Sequence, residues 1–428
     1  MKTEVKTSIE GLEIGMYVSR LDRPWLNTPF ALQGVQIKTA DDIEKLRKYC
    51  NYVFVDVDKG TSPDPRFWVL RDGQRKYDQP KQVRHKTKSQ AQQPTREDFS
   101  RLKTNSYPVT TQFTGELETA KDIYKDVSTD LKQMLSRLEH DGELDMVAVR
   151  KGVTDMTESI IRNPSAMMWV ISLRSVDDYS YSRALSTSVW CATFGRHLGL
   201  EKSSIETLAI GGLLLDIGKT GVPQEVLHKK GPLCQEDIEQ MQKHVDIGVK
   251  ILANSARADT NNKMPREVLQ MVATHHERAD GSGYPQGISN NEIPLFGRIA
   301  AIVDSYDAMN SKRPHIHAEA KSPHEAVAEL YEMRGKKFQA ELIEQFIQAV
   351  GLYPTGSLVE LSTGEVGAVV AINGLRRLRP SIILLLDKDK EPLPKFVMMD
   401  LSQTNEDIKV SHGLPVGAYG INMNELFL

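Results

Sequence analysis

HHERADGSGYP, residues 275–285, is the stretch on which the reading of this chain turns. His275 and His276 are adjacent imidazoles, and neutral imidazole nitrogens are good ligands for a divalent transition metal. Gly281 and Gly283 lack a Cβ, so together with Pro285 they let a backbone turn approach a ligand closely. A metal beside such a loop suits holding or attacking a phosphate.

Working outward, residues 144–350 read as almost entirely helical, with loops near 219–233, 254–265 and 280–296. Three further segments bring ligand types to helix ends or helix faces. GGLLLDIGKTGVP (211–223) sends Asp216 out of an apolar helix, which is costly unless the carboxylate is paired, capped or metal-bound. Lys219, three residues on, suits an anionic phosphate oxygen. KHVDIG (243–248) carries His244, and GRIAAIVDSYDAMNSKRP (297–314) places Asp304 and Asp307 on one helix face. Each has a plainer role alone: His244 as a capping or surface histidine, Asp216 as a helix-end charge, Asp304 as a partner of Arg298 or Arg313. Together, in the order Asp, His, His-His, Asp within one helical region, they favour a metal cluster.

The flanks read differently from this centre. Residues 1–60 predict a small α+β domain, with β-type runs at Met16–Ser19 and Tyr52–Val57 around a helix over Ala40–Lys48. Trp25 and Phe30 there are assigned to core or loop packing. Residues 61–110 carry eleven Lys and Arg against five acids and little to bury, the composition of a flexible basic linker. Residues 111–143 predict a connecting helix whose stripe of Leu117, Ala120, Ile123, Tyr124, Val127, Leu131, Met134, Leu135 and Leu138 either forms a homodimer or packs on the next domain. Residues 351–428 predict a β-rich module with strands at 358–361, 368–371 and 382–386.

Composition limits the functions open to the chain. A net charge of −3 over 428 residues gives no case for DNA binding. Three cysteines far apart suit a reducing compartment. The first residues form no apolar leader, and no run of 18 apolar residues occurs, so a cytoplasmic protein without a membrane segment is expected.

The ordered motifs D-I-G-K, H-x-x-x-G, H-H-E-R-x-D-G-x-G-Y-P and V-D-x-Y-D-A-x-x-S-x-R-P, spread over residues 144–350, resemble the HD-GYP family of bacterial cyclic di-GMP phosphodiesterases. GLEIGMYVSRLDRPWLNTPF (11–30) resembles the domain of unknown function that often precedes HD-GYP domains. The resemblance implies a multidomain chain with an all-α HD-type domain at its centre, holding iron or manganese ions and hydrolysing cyclic di-GMP. By that resemblance Asp216 bridges two metals, His244, His275 and His276 complete one of them, and Asp304 helps hold the other. Lys219 then contacts phosphate, and Asp307 and Arg313 line the nucleotide site. Asp280, Gly281, Gly283, Tyr284 and Pro285 form the GYP loop, which contacts ligand or docks a partner such as a diguanylate cyclase.

Two positions depart from the family pattern. The namesake His-Asp pair reads Leu215-Asp216, and Arg183 stands where an earlier histidine is expected, with Tyr179 at a further variable ligand position. Leucine ligates nothing, and a guanidinium adds a fixed positive charge. The expectation is therefore one or two ions, the second weak, and reduced hydrolysis. The alternative is a degenerate module that binds cyclic di-GMP or docks a partner.

Overall fold

The computed structural model describes residues 4–22, 34–57, 59–64, 67, 105–142, 144–173, 179–229, 231–258, 264–311, 320–373, 376–405 and 407–426. Trp25, Phe30, most of the 61–110 stretch and Arg313 lie outside the described residues. The chain divides into two compact units, residues 1–93 and 94–428.

Among its described residues the first unit is a four-stranded antiparallel sheet in the order β1-β4-β2-β3, with one α-helix. Its strands are β1 (Glu4–Ser8), β2 (Tyr17–Leu21), β3 (Val35–Gln36) and β4 (Tyr52–Asp56), and α1 spans Ala40–Tyr49. Thr39 and Asp42 form a reciprocal capping box that starts α1. Strand alternation sends Val53 and Val55 into a core with Val18 and Leu46. Tyr52 and Phe54 point the other way, each beneath a cation, Lys6 and Arg20, at 3.9 Å.

The second unit joins the helical domain to the C-terminal strands. The 29-residue α2 (Phe113–Asp141) buries Leu117, Ala120, Val127, Leu131, Met134 and Leu138 within the chain. A bidentate pair between buried Glu116 and Arg162, at 2.9 and 2.7 Å, ties α2 to α3 (Val147–Arg162). The helix α4 (Pro164–Ser172) follows, its first turn capped by Asn163. Residues 105–110 are fixed to α5 (Tyr179–His197): Arg196 donates to the Tyr107 carbonyl at 2.7 Å.

Beneath the candidate site lies an aromatic layer. Trp190 and Phe194 of α5 meet Tyr306 of α11 (Leu295–Met309) and Phe346 of α13 (Ala340–Val350), with ring centroids 5.2–5.3 Å apart and edge-on. Among the described residues the other α-helices are α6 (Lys202–Leu214), α7 (Gln224–Leu227), α8 (Gln235–Gln242), α9 (His244–Ala258), α10 (Arg266–Thr274) and α12 (Pro323–Met333).

The C-terminal module is an antiparallel five-stranded sheet in the order β8-β7-β6-β5-β9. Its strands are β5 (Leu358–Leu361), β6 (Val366–Ala371), β7 (Ser381–Leu386), β8 (Pro392–Asp400) and β9 (Val410–Gly413). Leu358, Val366, Ala368, Ile383 and Leu385 face Leu117 and Trp169 of α2 and α4. Val359, Leu361, Val369, Ile382 and Leu384 form a second cluster with Leu401. Burial on both faces explains why β7 reads SIILLL without polar alternation.

Candidate metal centre

At the end of α6 the chain leaves the helix through Leu215 and enters a tight 3-10 turn at Ile217–Gly221, with Asp216 at its start. Gly218 decides how close this turn comes to α9. A Cβ there would lie 1.9 Å from the His244 carbonyl oxygen and 2.4 Å from the Gly248 nitrogen. The missing side chain thus brings Asp216 Oδ1 to 3.5 Å from His244 Nε2. From the other side, His275 caps the C-terminus of α10, its amide bonded to the Met271 carbonyl at 3.0 Å.

Backbone carbonyls set the tautomers of two histidines. His244 Nδ1 lies 2.7 Å from the Met241 oxygen and His275 Nδ1 lies 2.9 Å from the Val272 oxygen. A carbonyl only accepts, so both Nδ1 atoms carry the proton and both Nε2 atoms present lone pairs. Those lone pairs face each other across 3.5 Å, beside a carboxylate. Donor atoms of Asp216, His244, His275 and His276 all lie within 4.8 Å of one another. Metal–ligand distances of about 2.1 Å place neighbouring ligand atoms roughly 3.0–3.4 Å apart. The four donors converge on one position, and closing the wider spacings would bring them onto one divalent ion.

Burial keeps these imidazoles neutral, the state in which they ligate. It depresses His275 to about 4, lowers His244, and holds His276 well below the usual range, aided there by the neighbouring His275 and His244. The His276 ring stacks on Tyr284 at 4.6 Å, and its Nδ1 is 4.0 Å from Asp304 Oδ2.

The other half of the site is a knot of charges. Arg183 on α5 donates through Nη2 to Asp304 Oδ1, while its Nε lies 3.9 Å from Asp216 Oδ2 and 3.8 Å from Asp307 Oδ2. Lys219 donates to Asp216 Oδ2 at 2.7 Å. Burial alone would raise the carboxyl of Asp216, but Lys219 and Arg183 hold it well below the usual range. Burial alone would raise Asp304 too, but Arg183, with His275 and Lys219, lowers it. The partner of Asp304 is thus Arg183, distant in sequence, while Arg298 bonds to Gln339 at 2.6 Å. Leu215 is buried.

The loop after His276 folds over the cluster. Gly283 packs so tightly that a Cβ would sit 2.5 Å from Arg278 N, Glu277 Cα and the His276 oxygen. Gly281 takes a φ of 76°, and the Tyr284–Pro285 bond is cis. Asp280 is spent inside its own loop, accepting from the Ser282 amide at 3.0 Å and the Ser282 hydroxyl at 2.6 Å. Two residues beyond those singled out in the sequence shape this region. Buried Glu277 accepts from the Gln286 amide at 2.7 Å, and Arg278 donates to the carbonyls of His275 and Glu277 at 3.1 and 2.9 Å. A charged pair directly after His-His was the available signal.

Comparison with known proteins adds an independent line. Residues 167–342 match the model of an HD domain, residues 4–149 that of a domain of unknown function (DUF3391), and residues 358–407 that of a KOW domain associated with the HD domain. A cyclic di-GMP phosphodiesterase of Pseudomonas aeruginosa is 26% identical over 420 residues, covering 97% of this chain and 94% of its own. A cyclic di-GMP phosphodiesterase of Thermotoga maritima is 38% identical over 151 residues, 35% of this chain and 39% of its own. A 3'3'-cGAMP-specific phosphodiesterase of Vibrio cholerae is 34% identical over 161 residues, 38% of this chain and 30% of its own. This chain therefore spans nearly all of the first relative and well under half of the other two. Among the described residues no helix is long and apolar enough to cross a membrane.

Proposed function

We propose that the chain is an HD-domain protein of the HD-GYP type and a metal-dependent phosphodiesterase of bacterial second-messenger signalling, acting on cyclic di-GMP. The observation that carries this reading is the cluster of Asp216, His244, His275 and His276, with two lone pairs turned inward by backbone carbonyls. The mixed imidazole and carboxylate donors suit iron or manganese. A divalent ion there would supply Lewis acidity and lower the pKa of water beside a phosphodiester.

The chain's own groups take the remaining roles. Lys219 turns from Asp216 to a phosphate oxygen as an anionic ligand arrives, a short movement for a half-exposed side chain. The family resemblance assigns Asp304 to the metal side and Asp307 and Arg313 to the nucleotide side. Asp280, Gly281, Gly283, Tyr284 and Pro285 present the loop that touches ligand or partner. A cytoplasmic protein with domain boundaries at residues 60, 110, 143 and 350 fits this role.

A second reading draws on the Arg183 ion pairs and on Leu215. These suit a module that binds cyclic di-GMP, or docks a diguanylate cyclase or a second copy of itself, with little turnover. Both readings are separated by incubating metal-loaded protein with cyclic di-GMP, following product by chromatography and ions per chain by elemental analysis. Turnover that His275→Ala abolishes supports the enzyme. Tight binding without product supports the module, and neither binding nor product overturns both.

A further inference from the structure

The carboxylate half of the site raises a question the histidine half does not, namely what cation belongs there. Asp216, Asp304 and Asp307 converge, and Asp304 and Asp307 are buried. Buried carboxylates require compensation. Arg183 supplies it, reaching all three carboxylates from a side chain only 12% exposed. The two oxygens of Asp216 are differentiated as well: Oδ1 faces His244, and Oδ2 faces Lys219 and Arg183.

We propose that Arg183, assisted by Lys219, occupies the place of a second cation, so that the centre is mononuclear by construction. A guanidinium has five donors, no lone pair and no accessible neutral form, so it neutralises the carboxylates yet cannot ligate. The residues do not fit a second ion. The second oxygen of Asp216 faces Lys219 and Arg183, Asp304 is engaged by Arg183, and the neighbouring position is the buried aliphatic Leu215. Arg183 is a positioning residue in this arrangement. Its charge, 3.9 Å from Oδ2 of Asp216, draws that oxygen to its side while Oδ1 faces His244, and it leaves a net positive site for an anionic ligand once one divalent ion is bound.

The inference rests on the metal-dependent reading above, and its test counts ions and leaves turnover aside. Full-length protein stripped with chelator is titrated with Mn²⁺ without oxygen, separated from free metal, and analysed for ions per chain. One ion per chain is expected for the unaltered protein and for Arg183→Lys, which keeps the charge. Arg183→Gln, which releases the carboxylates, is expected to approach two. Leu215→His alone is expected to stay at one, and Leu215→His with Arg183→His to reach two. Two tightly held ions in the unaltered protein, or a second ion gained by Leu215→His alone, would overturn the proposal. Should Arg183→Gln fail to fold, the Leu215→His pair still decides. A chain that holds one ion but neither binds nor cleaves cyclic di-GMP removes the functional reading and leaves this inference standing.

Discussion

The two halves of the site meet at Asp216 and satisfy it by opposite means. On one side, three neutral imidazoles gather beside Asp216, and backbone carbonyls turn the lone pairs of His244 and His275 inward. On the other, three carboxylates surround a guanidinium that already provides one. The histidine half is built to acquire a charge, and the carboxylate half carries its charge as part of the chain. That difference separates a binding site from a compensated ion network, although both are made of residue types that ligate metals.

The sharpest break in the comparison comes from the histidine half. His275→Ala should remove the bound ion and lower hydrolysis by at least about 100-fold, since deleting a ligand exceeds the effect of altering its outer partners. Product chromatography and metal analysis on one preparation check both. In the carboxylate half, Arg183→Leu should destabilise the chelated protein by about 3 kcal/mol, because it strands two buried carboxylates. Millimolar Mn²⁺ should restore part of that loss, as a rise in unfolding temperature larger than the unaltered protein shows. Equal stability of the two chelated proteins would remove the compensating role of Arg183.

Acid should also act on the histidine half. His275 is held at about 4 in the folded chain against an ordinary 6.5, and His244 and His276 shift the same way. A depressed folded value means that protonation favours unfolding. The chelated protein should keep full stability from these groups above about pH 6.5 and lose it progressively as pH falls towards 4. Denaturant midpoints across that window measure it. Gly283→Ala should cost roughly 1–3 kcal/mol by forcing the loop off His276 and Glu277, and should weaken ligand binding. Lys219→Gln should be mildest, below about 1 kcal/mol in stability, because its pair with Asp216 is partly solvated.

The helical centre was legible because its apolar positions recur with helical spacing, as the buried stripe of α2 illustrates. That spacing does not say what covers the stripe; within the chain Leu117, Ala120, Val127, Leu131, Met134 and Leu138 are buried, and the Glu116–Arg162 pair ties α2 to α3. Strands β5, β6 and β7 were readable from β-branched and leucine runs. The strand β8 was not: PLPKFVMMD lies exposed along most of its length, so no buried alternation marks it. In the site, the ligand types and their order could be read, since His275 and His276 are neighbours and Asp216 leaves an apolar helix. The bond from Arg183 to Asp304 spans 121 residues, and no local pattern announces it. The positioning role of Glu277 rests on a backbone amide nine residues away, which side-chain pattern does not encode.

The most direct measurement is anomalous diffraction at the manganese edge from crystals of the full chain grown with Mn²⁺. The account predicts one peak, among the donor atoms of Asp216, His244, His275 and His276, with the Arg183 side chain still between Asp304 and Asp307. A second peak between Asp216 and Asp304, with Arg183 displaced, would contradict it.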